Sequence, residues 1–131
     1  MVTFVQQVQR AADAALAGSG ITPAQFFILS TLRRRGETQQ VELAEALGVT
    51  PGNISQLVAK LEDAALVRRT GQGRAKLVSV TKRGEALAAR LAPEHDEFLA
   101  ARFAALTISE RKLLLSLLAR LTAPVSSQEP P

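Results

Sequence analysis

The sequence predicts a mainly α-helical fold carrying one small β-hairpin: four helices, two short strands, then two more helices. Three observations predict it. Apolar residues recur at helical spacing in six separate stretches. Thr-Pro pairs, and threonines followed three positions later by Gln or Glu, mark where helices start. One segment alone, around Gly71-Gln72-Gly73, reads as two β-prone runs about a turn.

The first helix (α1) is expected over residues 2–17, where Val5, Val8, Ala12 and Leu16 keep close to the i, i+3, i+7 rhythm up to the break at Gly18-Ser19-Gly20. The second (α2) starts at Thr22-Pro23-Ala24-Gln25, a capping hydroxyl with proline at the first helical position and glutamine at the third. It carries Phe26, Phe27, Ile28, Leu29 and Leu32 before Gly36. The third (α3), residues 39–47, is short. Thr38 is its expected cap, Val41, Leu43, Ala44 and Leu47 its inner face, and Gly48 its end. The fourth (α4) restarts at once on Thr50-Pro51, with Ile54, Leu57, Val58 and Leu61 as its apolar stripe.

Residues 66–70 and 76–80 are the expected strands of the hairpin. Thr81 then caps a long helix (α5) over residues 82–105 containing Pro93, whose missing N–H and ring clash predict a kink or break. Thr107-Ile108-Ser109-Glu110 is a capping box for the last helix (α6), with Leu114, Leu117, Leu118 and Leu121 on one stripe. The tail, residues 123–131, has little to bury and is expected to be disordered. The order is thus α1-α2-α3-α4-β-β-α5-α6. The very short break Gly48-Val49-Thr50 between α3 and α4 is the mark of a helix-turn-helix, and the hairpin behind it is a wing.

Composition narrows the function. With 131 residues and 47% hydrophobic content the chain can bury one core, and having no cysteine it can form neither disulfides nor thiolate metal sites. The polar N-terminus is no signal-peptide core and no run of about eighteen apolar residues occurs, so no membrane partner is expected, and the expected location is the cytoplasm, on the nucleoid. The net charge of +4 is unevenly placed. Between Ile21 and Gly84 ten Lys or Arg face five acids, whereas the flanks hold six basic and seven acidic residues. The positive excess lies in the middle, where phosphates would be met.

Once the stripe of α4 turns inward, its other surface shows Gly52, Asn53, Ser55, Gln56, Ala59 and Lys60. Asn and Gln offer paired donors and acceptors to a base edge, Ser serves several bases, and Gly or Ala lets a helix sit deep in the major groove. The same residues would also suit a merely solvated helix face. Thr38, Gln39, Gln40 and Thr50 stand at helix N-termini, where hydroxyls and backbone N–H groups bind a DNA phosphate or simply cap the helix. Arg33, Arg34 and Arg35 end α2, as phosphate ligands or only as complements to the helix dipole. Arg68, Arg69, Arg74 and Lys76 flank the hairpin tip, and Arg74 is best placed to enter an A·T-rich minor groove. The terminal helices carry Phe4, Val8, Phe98, Phe103, Leu114, Leu118 and Leu121, apolar surface that wants either a second chain or one another.

Other chemistries find no residues to run them. His95, the single histidine, sits among Glu94, Asp96 and Glu97 on what reads as an exposed surface, so neither a metal nor another cofactor is expected. No phosphate-cradling loop, nucleophile elbow or Cys/His pair occurs, and five Phe with no Trp or Tyr give no stacking platform for single strands.

The run Leu43-Ala44-Glu45-Ala46-Leu47-Gly48-Val49-Thr50, then Ile54-Ser55-Gln56-Leu57-Val58, Leu61-Glu62, Leu66-Val67 and Thr81-Lys82-Arg83-Gly84 resembles the MarR family of bacterial transcriptional regulators. The resemblance reaches upstream to Ile21-Thr22-Pro23-Ala24-Gln25-Phe26 and downstream through the last helix. It implies a homodimer joined through residues 1–20 and 82–122, a DNA-binding lobe over residues 21–81, and paired recognition helices on double-stranded DNA. It also implies release by a small aromatic or phenolic effector, for which Arg10, Phe26, Phe27 and the surroundings of Leu87 are the first places to look. The chain departs from the family pattern in three ways. The wing has Gln72 where an aspartate usually braces the later arginine, Ala65 stands where glycine usually follows the recognition helix, and cysteine oxidation is closed as a switch. The alternative reading is a winged-helix adaptor for another protein, with only weak non-specific affinity for DNA.

Overall fold

Among residues 3–122, which the computed structural model describes (Arg74 by its backbone alone), six α-helices and one three-stranded antiparallel sheet follow in chain order. The expected tail lies outside the described residues. The helices are α1 Phe4–Leu16, α2 Pro23–Arg35, α3 Gln40–Leu47, α4 Pro51–Asp63, α5 Lys82–Phe103 and α6 Ile108–Thr122. The strands are β1 Thr38–Gln39, β2 Val67–Thr70 and β3 Leu77–Val80, with a single 3-10 turn, Gly73–Ala75, between the last two.

Threonine hydroxyls set the helix starts. Thr22 and Gln25 exchange side-chain bonds with each other's backbone N–H, at 3.2 and 2.9 Å, as their spacing predicts. Thr107 and Glu110 do the same for α6, and their bonds, the Thr107 N–H foremost, hold the Glu110 carboxyl below its usual pKa. Thr3 and Gln6 form a third such box on α1, a start that the apolar rhythm of that helix does not mark. Thr81 accepts from the Gly84 N–H at 3.0 Å and donates to the Ala65 carbonyl at 2.7 Å, so one hydroxyl both caps α5 and ties it to the end of α4.

Residues up to Asp96 form one unit of the fold and residues from Glu97 another. The core of the first is built from Ile28, Leu29 and Leu32 of α2, Leu43 and Ala44 of α3, and Ile54, Val58 and Leu61 of α4. Leu66, Val67, Val78 and Ala88 close it. In the second unit Phe98 and Phe103 are half-buried, and the Arg102 guanidinium lies 4.9 Å from the Phe98 ring centre, a cation-π contact. No residue of α6 is buried, and Ile108, Leu113, Leu115, Leu117, Leu118 and Leu121 are exposed.

Four expectations are corrected. Thr38 does not cap α3. It is buried in a third strand, β1, pairing with Val78, and its hydroxyl donates to the Gly36 carbonyl at 2.9 Å. The position next to the helix is Gln39, which makes no side-chain cap bond. Val41 is exposed rather than inward, because two residues on a helix span about 200° and the buried stripe is set by Leu43 and Ala44. Helix α5 ends at Phe103 rather than at residue 105, and of the kink or break expected at Pro93 the break does not occur, since the proline removes one backbone bond while Ala88 and Leu91 anchor the preceding turns in the core. His95 is half-buried, not exposed, with its ring edge-on to Phe26 at 5.7 Å.

Candidate nucleic-acid interface

The turn between α3 and α4 is closed by backbone geometry alone. Gly48 takes the left-handed conformation, φ 72°, and its N–H reaches the carbonyls of Ala44 and Glu45 at 2.9 and 3.2 Å. Val49 N–H also reaches Ala44 O at 3.0 Å, and Thr50 then caps α4 by accepting from the Asn53 N–H at 3.1 Å. Only three residues separate the helices, so α4 leaves the turn at a fixed angle with Ile54, Val58 and Leu61 pinned in the core.

The opposite face of α4 is open. Gly52, Asn53, Gln56 and Lys60 are exposed, while Ser55 and Ala59 are half-buried on its shoulder and Leu57 packs on the core. The surface is thus small and amide-bearing at its N-terminal half, with a cation near its end. Glu62 and Asp63 close the helix beyond Lys60.

The wing pairs Val67 with Val80, Arg68 with Ser79, Arg69 with Val78 and Thr70 with Leu77. Arg68 is exposed, Lys76 is half-buried, and Arg74 sits in the 3-10 turn at the tip. β1 joins the other edge of β3, extending the expected two-stranded hairpin to three. Gln39 is exposed and Gln40 half-buried at the start of α3; Arg33, Arg34 and Arg35 are exposed at the end of α2, where Leu32 remains buried.

Arg69 is committed inside the protein. Its Nε and Nη2 donate to Glu62 Oε1 at 3.2 and 3.1 Å, and its own backbone N–H donates to Glu62 Oε2 at 3.3 Å. Nη1 donates to Gln40 Oε1 at 3.4 Å, and the Gln40 N–H reaches the Lys76 carbonyl at 2.9 Å. Sequence reasoning missed this cluster. A signal was present, since an acid in the last turn of α4 lies at the negative end of the helix dipole and calls for a nearby cation.

Ala65, after α4, has φ 63°, the only left-handed non-glycine among the described residues. Gly84 answers it from α5: a Cβ built there would lie 2.1 Å from the Leu66 carbonyl oxygen, so the close approach of α5 to the end of α4 needs glycine.

Of the places marked for an effector, Arg10 and Phe27 are exposed, Phe26 is buried, and Leu87 lines a cavity of about 550 Å³ with Ile21, Leu66, Arg83 and Arg90. Among the described residues no three His, Asp or Glu gather as metal ligands, and no helix is long and apolar enough to cross a membrane.

A short helix pair around a glycine turn, an outward second helix and a β-hairpin wing define a winged helix-turn-helix DNA-binding protein. The MarR family model matches residues 19–76. A relative from Bacillus cereus, named a helix-turn-helix-type transcriptional regulator, is 31% identical over 121 residues, spanning 92% of this chain and 82% of its own. The transcriptional repressor MdtR of Bacillus subtilis is 32% identical over 65 residues, half of this chain and 42% of its own. The crystal structure of NadR in complex with 4-hydroxyphenylacetate matches with a TM-score of 0.82 at 25% identity, covering 92% of this chain and 88% of that one. The chain belongs to the MarR family of transcriptional regulators, and its relatives are regulators rather than enzymes.

Proposed function

We propose that this regulator represses transcription as a homodimer on a pseudo-palindromic operator in the cytoplasm, with half-sites about 10 base pairs apart. The observation that carries the reading is the open face of α4, where Asn53 and Gln56 flank the gap left by Gly52 while the opposite stripe is fixed in the core. In this reading Gly52, Asn53, Ser55, Gln56 and Lys60 line the major groove. Gln39 and Thr50 take phosphates at helix starts, Thr50 keeping its O–H to donate while its oxygen caps α4, whereas the Gln40 N–H is already given to the Lys76 carbonyl. The buried Thr38 adds only the strand pairing that holds Gln39 in place. Arg33, Arg34 and Arg35 add phosphate contacts, Arg68 and Lys76 flank the backbone, and Arg74 enters the minor groove. The apolar surface of α6, including Leu118 and Leu121, with Phe4 and Val8 of α1 and Phe98, Phe103 and Leu114, forms the dimer interface.

Release by a small aromatic or phenolic ligand is part of the proposal, supported by the likeness to NadR, whose structure holds 4-hydroxyphenylacetate. The test is selection of bound sequences from a random duplex pool, followed by titration of the winner at two salt concentrations. The expected result is a two-fold symmetric motif with a steep salt slope. Arg74→Ala should weaken binding by about 1–3 kcal/mol, and Gln56→Ala should relax base preference more than it lowers non-specific affinity. An absence of any enriched motif would favour a protein-binding adaptor instead.

A further inference from the structure

Arg69 stands where a wing cation would be expected to touch DNA, yet its guanidinium is already committed. Three of its five side-chain N–H donors are used inside the protein, two on Glu62 of α4 and one on Gln40 of α3. Its backbone N–H fixes the second Glu62 oxygen, so the carboxylate is gripped by side chain and main chain of the same residue. Gln40 in turn holds the residue that leads into β3, through the Lys76 carbonyl. The four groups therefore close a loop: end of recognition helix, first wing strand, start of the supporting helix, second wing strand.

We propose that Glu62, Arg69 and Gln40 are positioning residues, a brace that sets the angle of the wing to the recognition helix, and that Arg69 acts on DNA only through that brace. The proposal rests on the DNA-binding reading above for its consequence, but not for its existence in the free protein. Physically the brace has a job to do. The two wing strands pair over only four residues, a span that is marginal alone, and the wing tip has Gln72 rather than an acid to hold its arginine. The ion pair is only partly buried, with side-chain exposures of 21% for Arg69 and 39% for Glu62, so its worth lies in orientation more than in overall stability. Arg69 is suited to that work because its planar fork meets one carboxylate oxygen with two N–H groups, which a lysine cannot do.

The experiment has two arms, both on the full chain. The protein has no cysteine, so spin labels can be placed cleanly at Gln72→Cys on the wing and Ala46→Cys on α3, with labelled chains diluted into unlabelled ones. Glu62→Gln should broaden the distance distribution between the labels in the absence of DNA, and Arg69→Lys, whose ammonium cannot span Glu62 and Gln40 together, should broaden it too. A width unchanged in Glu62→Gln overturns the brace, whatever DNA does. In the second arm, hydroxyl-radical footprints are taken at saturating protein on the selected operator. Glu62→Gln and Arg69→Lys should both lose the flanking protection given by the wing while keeping the central protection. A role in stability alone would change the fraction of active protein but not the footprint of what is bound. A wild-type chain without any footprint overturns the DNA-binding reading and leaves the spin-label result to judge the brace. If instead Arg69→Gln lowers the log–log salt slope by about 0.9 while Glu62→Gln leaves slope and footprint intact, Arg69 is a direct phosphate ligand and the proposal fails.

Discussion

Leu29 and Leu121 are the same side chain in opposite circumstances: the first has 0% of its surface exposed in the middle of α2, the second 80% near the end of α6. The difference extends to their whole neighbourhoods. Around Leu29 five helices and the sheet bury one continuous cluster within a single chain, whereas α6 carries a leucine-rich surface with none of its residues buried. Apolar surface in the first region specifies a fold. In the second, on the homodimer reading proposed above, it specifies a partner, since hydrocarbon left in water costs free energy on the order of 25 cal/mol per Å².

The comparison can be broken by substituting each leucine. Leu29→Ala leaves a cavity in a packed core and should cost about 2–5 kcal/mol of folding stability, read from the urea midpoint. Leu121→Glu should leave the fold of the lone chain nearly unchanged, within about 0.5 kcal/mol, while abolishing the concentration dependence of the thermal midpoint that a dimer produces. Sedimentation should then report a monomer. If Leu121→Glu instead unfolds the chain at every concentration, α6 is core and the contrast between the two regions is false.

A smaller effect sharpens the contrast within the first region. Gly84 faces the Leu66 carbonyl with no room for a methyl group, so Gly84→Ala must push α5 away from the end of α4. A cost of about 1–3 kcal/mol is expected from such overpacking, measured by denaturant titration. The same displacement would stretch the Thr81 bonds to Ala65 and Gly84, so amide hydrogen exchange should rise first at the start of α5.

How much of this was legible in the sequence depends on the range of the interaction. Thr22 with Gln25 and Thr107 with Glu110 are three residues apart, and their capping boxes follow from spacing alone. The stripe Ile54, Val58 and Leu61 follows from helical period, and with it the exposed face of α4. β1 was not legible, since a two-residue strand leaves no alternation to detect and exists only because β3 offers it an open edge. Its presence is what buries Thr38 and takes that hydroxyl from its expected cap. The Glu62, Arg69 and Gln40 cluster was hidden for the same reason. Gln40 and Arg69 are brought together by tertiary folding across 29 positions of sequence, and the Glu62 to Arg69 interval crosses a helix end, where no periodic rule applies.

Ala65 is the place where a departure from the family pattern noticed in the sequence acquires a measurable size. Its φ of 63° places an L side chain in the left-handed region, which costs roughly 1–2 kcal/mol relative to the right-handed one. Glycine would relieve that strain but has a more flexible unfolded chain, a loss of about 0.4–1 kcal/mol on folding. The net expectation for Ala65→Gly is a gain of roughly 0–1.6 kcal/mol, visible as a higher urea midpoint with an unchanged slope. The backbone here is held from outside, by Thr81 Oγ1 donating to the Ala65 carbonyl and by the Ala65 N–H reaching Glu62 O at 2.9 Å. Glycine should therefore keep the same turn, and the wing should keep its angle to α4. A destabilised Ala65→Gly variant would mean that the alanine methyl makes contacts worth more than the strain it causes, and that the turn after α4 is held by packing rather than by its backbone bonds.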